Sequence, residues 1–229
     1  MSPLPLITFQ DLKKENLPYN GIYFFYEKGE FWGHDGNVPR IVRIGTHNDG
    51  NFHSRMMFDH YDMKEKRRTI TVETIAPKDR SIFRKSLGRA LLNAPPYKRD
   101  DLEKWNLDNT PKAKRKANAS KRSIELEKEI ENKISNLMKN GFSLRFVELE
   151  SQEDRVGKKG LESKLIGTVA HCRICKASHN WLGRKSPVEK ISNGKLWLVQ
   201  HLNSRGMNEE EMITFTKYLQ ATREKWTMK

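Results

Sequence analysis

The stretch "GIYFFYEKGE" (21–30), taken with "RIVRIGTHND" (40–49), decides how this chain folds. Both are rich in β-branched and aromatic residues and both run into turn residues, the pattern of short strands. Between them "KGEFWGHDGNVP" (28–39) carries Gly, Asp-Gly and Pro, which suits a long hairpin connection. "FSLRFVEL" (142–149) alternates Phe142, Leu144 and Phe146 with Ser143, Arg145 and Val147 and reads as a third strand, and "KLWLVQHL" (195–202) is a candidate fourth.

Helical spacing recurs elsewhere. In "SIFRKSLGRALL" (81–92), Ile82, Phe83, Leu87 and Leu91 make one stripe and leave Lys85 and Arg89 a turn apart on another face. Ile130, Ile134, Leu137 and Met138 do the same within 120–139, as do Leu161, Leu165, Ile166 and Val169 in "LESKLIGTVA" (161–170). Asn208 ahead of Glu209, Glu210 and Glu211 is a capped helix start, with Met212, Phe215 and Leu219 turned inward. The stretch 95–122 opens on Pro95-Pro96 and closes on "PKAKRKANASKR", basic without an acid, and reads as a mobile, solvated insertion. This order implies an α+β fold, a small, mainly antiparallel β-sheet flanked by helices, with a basic insertion and a C-terminal helical extension. The expected organisation is one domain over 1–202, interrupted at about 95–122, and an extension over 203–229.

Of 229 residues, 43 are Lys or Arg and 29 Asp or Glu, a formal net charge of +14. An excess of that size points to a polyanion, most often nucleic acid, since neutralised phosphates release counterions. Neither a basic amphipathic helix with a wide apolar face nor a membrane-length apolar run is present, which argues against a membrane partner. "MSPLPLITF" lacks the charged start and apolar stretch of a signal peptide. Cys172 and Cys175, three positions apart, give no disulfide framework, so a reduced, cytoplasmic setting is expected.

On a helical wheel Glu162 falls inside the apolar arc of Leu161, Leu165, Ile166 and Val169. A carboxylate there is costly unless it is paired, hydrogen-bonded or on a metal. The bland alternative is a first-turn glutamate satisfied by backbone N–H groups or reaching water. The wheel leaves both open.

These blocks together resemble the GIY-YIG nuclease family. "GIY" and "RIG" resemble the family's paired signature, with Arg43 where the second tyrosine usually stands. "FHSRMMFDHY" (52–61) is similar to the helix that presents an arginine and then a histidine, here Arg55 and His60. "SIFRKSLGRALL" and "SHNWLGRKSPVEKISNGKLWLVQHL" resemble blocks of one branch of the family, and "LESKLIG" resembles the helix bearing its metal-binding glutamate, Glu162. Asn180 matches the asparagine that closes the family's domain. The resemblance runs from about residue 21 to about residue 202, and the long hairpin connection and the missing second tyrosine depart from it.

The resemblance implies a Mg²⁺-dependent (or Mn²⁺-dependent) DNA endonuclease. Tyr23 would activate the attacking water, with Arg43 supplying the positive charge a phenol needs beside it. Arg55 would hold the scissile phosphate through its planar fork, and Glu162 would bind the cation that steadies the leaving 3′-oxygen. His60 would hydrogen-bond the phosphate or help Tyr23 shed its proton, and Asn180 would orient the neighbourhood of Glu162. Arg84, Lys85 and Arg89 on one helix side, the run Lys66, Arg67 and Arg68, and "KAKRKANASKR" are expected backbone contacts for DNA. Each has a plainer reading: a packed strand tyrosine, an exposed strand arginine, a solvated helix face.

"HCRICKASH" (171–179) places His171, Cys172, Cys175 and His179 at spacing compatible with structural zinc, against a continuing apolar helix in which the cysteines are simply buried. The size beyond the nuclease core suggests a restriction or host-defence enzyme, and one active site per chain favours a homodimer for cutting both strands. The rivals are a catalytically inactive DNA- or RNA-binding protein on the same fold and a zinc-bearing interaction protein.

Overall fold

The structure is a computed structural model in which residues 4–63, 69–157 and 160–227 are described. Its centre is an antiparallel three-stranded sheet in the order β2-β1-β3, built from β1 (Gly21–Phe31), β2 (Pro39–Gly45) and β3 (Phe142–Glu148). The helices are α1 (Pro77–Arg80), α2 (Ile82–Leu92), α3 (Arg99–Asn106), α4 (Lys112–Ala117), α5 (Ile124–Gly141), α6 (Gln152–Arg155), α7 (Leu161–His171), α8 (Glu189–Ser192) and α9 (Glu209–Thr227), with a π-helical segment at Ser54–His60. The small antiparallel sheet and its helices are the expected α+β architecture.

β1 reads as a nearly unbroken apolar run because it is central and covered on both faces. Ile22, Phe24 and Tyr26 meet Leu165, Ile166 and Phe215 of α7 and α9. The alternate residues Tyr23 and Phe25 meet Phe83, Leu87, Ile130 and Ile134 of α2 and α5. The sheet is thus the middle of three layers. Pairing sets Tyr23 opposite Gly45 on β2 and Phe146 on β3, and Phe25 opposite Arg43.

The candidate fourth strand is not formed. Leu196 and Trp197 are buried, and Trp197 N–H reaches the Val42 carbonyl at 2.7 Å. Strand pairing stops there because arginine side chains take the carbonyls of this segment. Arg40 binds that of Lys195, and Arg43 that of Trp197 at 2.5 Å.

The stretch 95–122 is not the solvated loop expected of its charge. It forms α3 and α4, and Trp105 is fully buried, its Nε1 donating to the Lys85 carbonyl at 3.0 Å and its ring lying under Lys78. One aromatic anchor therefore outweighs the polar composition around it. α9 starts as expected, with Asn208 Oδ1 accepting from Glu211 N–H and the Glu211 carboxylate from Asn208 N–H. Phe215 is buried, but Met212 stays exposed, as does Ile82 at the start of α2. Among the described residues no helix is long and apolar enough to cross a membrane.

Candidate active site

Tyr23 leaves β1 on the α2/α5 face, and its phenol is 1% exposed. Its hydroxyl meets His60 Nε2 at 3.2 Å, and the Arg43 and Arg55 side chains both engage it. The ring fits because its cross-strand partner is glycine: a Cβ on Gly45 would overlap the Tyr23 hydroxyl and ring. The glycine of "RIG" is thus the space in which the tyrosine of "GIY" stands.

Arg55 and His60 come from the π-helical segment, where Tyr61 N–H bonds the Met56 carbonyl five residues back at 3.1 Å. Residues five apart splay on an α-helix but nearly align when the bonding is i→i+5. Both side chains therefore reach the same phenol. Arg55 is also held by Asp59 at 3.3 Å and by the Arg80 carbonyl at 2.9 Å. Burial pulls its guanidinium down, but Tyr23 and Asp59 outweigh that and the net shift is upward. His60 is fully buried and joined to Ser81 Oγ at 2.9 Å. Burial first, then Arg55, Arg43 and Arg84, pushes it well below the usual histidine range, so it stands neutral. A neutral ring that accepts from Tyr23 at Nε2 carries its proton on Nδ1 and donates to Ser81.

Arg43 is buried, its guanidinium over the Phe83 ring and on the Trp197 carbonyl. Burial lowers it, with Tyr23 partly restoring the charge. Glu162, in the first turn of α7, reaches the end of β2, where the Thr46 amide donates to it. It is half-buried, and burial raises its carboxyl above the ordinary range although His201, Arg43 and Arg55 pull the other way. Such a carboxylate, desolvated yet open on one side, fits one ligand of a hard divalent cation, with water and phosphate supplying the rest.

The structure thus brings Tyr23, Arg43, Arg55, His60 and Glu162 into one neighbourhood. Asn180 is exposed in the turn before Trp181, with no hydrogen bond to these residues. Arg84 corrects the expectation of a DNA contact. It is fully buried, paired with Glu131 at 2.5 Å and bonded to the His60 carbonyl and Ser135 Oγ, both at 2.8 Å. Lys85 and Arg89 are half-buried beside α3, with Arg89 donating to Asn106 at 2.6 Å. Lys66, Arg67 and Arg68 lie outside the described residues.

Sequence reasoning missed His201, Ser81, the Thr46 amide and the Trp197 carbonyl. His201 takes a left-handed backbone (φ 61°) within the segment read as a strand, so no spacing rule points to it.

An antiparallel three-stranded sheet flanked by helices, with such a cluster at the start of β1 and the end of β2, defines an α+β domain that carries a buried polar site. A family model described as GIY-YIG domain matches residues 6–225, and the chain belongs to that family. Neither a curated protein nor a solved structure matches it.

Proposed function

We propose that this protein is a divalent-metal-dependent endonuclease that hydrolyses DNA phosphodiester bonds. The observation that carries the reading is the convergence of His60, Arg43 and Arg55 on the Tyr23 hydroxyl, with Glu162 alongside. His60 fixes the direction of the phenol, and positive charge from the guanidiniums converges on its oxygen. Tyr23 passes its own hydroxyl proton to His60 Nε2 as it takes one from the attacking water. Arg55, its side chain 20% exposed against 6% for Arg43, is the guanidinium placed to meet the scissile phosphate. Glu162 would hold a Mg²⁺ or Mn²⁺ ion, which would supply the positive charge that neutralises the phosphate and steadies the leaving 3′-oxygen. Asn180 and the half-buried Lys85 and Arg89 belong to the wider surface that DNA would meet. We assign 1–202 to the nuclease body and 203–229 to an extension, whose helix α9 packs against β3. A restriction or defence role, acting as a homodimer in the cytoplasm, fits a compact chain with one such site.

One observation favours a second reading, a nucleic-acid-binding protein without cleavage: the Tyr23 phenol is 1% exposed. The deciding experiment is cleavage of duplex, single-stranded and modified DNA with Mg²⁺ or EDTA, wild type beside Glu162→Gln. Cutting that needs both the metal and Glu162 supports the enzyme. Binding without cutting across all substrates replaces it with the binding protein.

A further inference from the structure

Away from the Tyr23 cluster, the hairpin connection between β1 and β2 folds down onto the chain just after α7. His34 Nε2 stands 3.2 Å from Cys172 Sγ. The ligand atoms of His34, Cys172 and Cys175 all lie within 4.8 Å of one another. A tetrahedral zinc, with bonds of about 2.0–2.3 Å, holds its ligand atoms roughly 3.3–3.8 Å apart, so the three are already within a small adjustment of a coordination sphere.

The backbone is built for this approach. Gly33 packs so tightly that a Cβ there would lie 2.5 Å from the Ile174 carbonyl oxygen, so only glycine lets the hairpin connection reach the cysteines. The Gly33 amide donates to Cys175 Sγ, and the Ile174 and Cys175 amides donate to Cys172 Sγ, the latter at 3.5 Å. Amide bonds to sulfur favour the thiolate, the form that binds metal. Lys195 binds the Cys172 and Cys175 carbonyls, placing a cation beside the two sulfurs. A cavity of about 560 Å³, lined by His34, Asp35, Cys172, Cys175 and Lys195 among others, adjoins the three groups.

We propose that His34, Cys172 and Cys175 are three ligands of a zinc ion whose fourth position faces this cavity and is filled by water. This corrects the ligand set suggested by spacing. His171 and His179 are exposed, and α7 ends at His171 instead of carrying the cysteines onward as a buried helix. The chemistry selects zinc: thiolate and imidazole are borderline-to-soft donors, poor for the hard cations that suit Glu162. The ion ties the hairpin joining β1 and β2 to the C-terminal end of α7, at the opposite end of that helix from Glu162. Its role is to fix α7 against the strands that carry Tyr23 and Arg43.

The test is metal analysis of the full chain, purified without chelator or affinity metal, with its cobalt-substituted spectrum. The expected result is roughly one zinc per chain and, with Co²⁺, the strong visible bands of tetrahedral geometry plus a thiolate charge-transfer band. Cys172→Ser, Cys175→Ser and His34→Ala each lose most of the zinc, while His171→Ala and His179→Ala keep it. The wild-type cobalt spectrum is decisive even if a ligand variant fails to fold. Zinc well below stoichiometry, weak octahedral cobalt bands without thiolate character, or retention of the metal in His34→Ala overturns the assignment.

Discussion

Tyr23 is held by its neighbours from several directions, and single-atom changes around it are informative. Tyr23→Phe removes only the hydroxyl that His60 and Arg55 engage. It should remain folded and lose about 10²-fold or more in cleavage rate, the usual scale for a displaced proton-transfer group; equal cleavage by wild type and variant would remove Tyr23 from the chemistry. Gly45→Ala puts a methyl where the phenol stands. Overpacking of this kind costs about 1–3 kcal/mol, so urea denaturation should move by that amount and cleavage should fall further, because the phenol is displaced. His47 carries a pH dependence. Its Nε2 accepts from Gly21 N–H at 3.1 Å, and burial lowers it from 6.5 to about 4. Between those values the unfolded chain binds a proton that the folded one refuses, so stability falls as pH drops through that window and falls no further below it. His60 adds in the same direction. Denaturation midpoints measured across the window should fall less in His47→Gln than in wild type; parallel profiles would contradict this.

At the scale of elements, α2 is the hub. Arg84 ties it to α5 through Glu131 and to the end of the π-helical segment through the His60 carbonyl. Removing one member of a buried pair strands the other charge, typically at about 3–5 kcal/mol. Arg84→Ala should therefore unfold at markedly lower urea concentration, a stability effect that a DNA-contact residue would not have. What the sequence made legible follows the same line. β1, β2, β3, α2, α5, α7 and α9 were readable because each is local: a period, a cap or a turn residue. Glu162 stood out as a carboxylate inside an apolar arc, but the wheel left its role open, and only the resemblance to the family's metal-binding glutamate made it a site candidate. Arg84 was misread because its partner lies 47 residues away and a wheel assigns a face but no occupant. α3 was missed because one tryptophan fixes it, and the convergence of Arg55 with His60 depends on a π-helical bonding pattern that α-helical periodicity conceals.

For the whole molecule, the excess of +14 predicts how DNA is bound more than which DNA. Affinity for duplex should fall linearly on logarithmic axes of salt, each phosphate contact contributing about 0.9 to the slope. α4 presents Lys112 and Lys116 to solvent. Replacing both by Gln should weaken binding uniformly across sequences and flatten that slope; an unchanged slope would place α4 off the DNA path. The sheet sets a different kind of limit. β1 commits its odd and even positions to opposite layers, so a slip of one residue against either neighbour would send Tyr23 into the α7/α9 layer and Ile22 into the place of the phenol. No half-formed version of this sheet can hold the cluster. Catalysis should then behave as an all-or-none readout of native pairing, vanishing in step with the cooperative unfolding transition and returning on refolding only once β1 has found both partners.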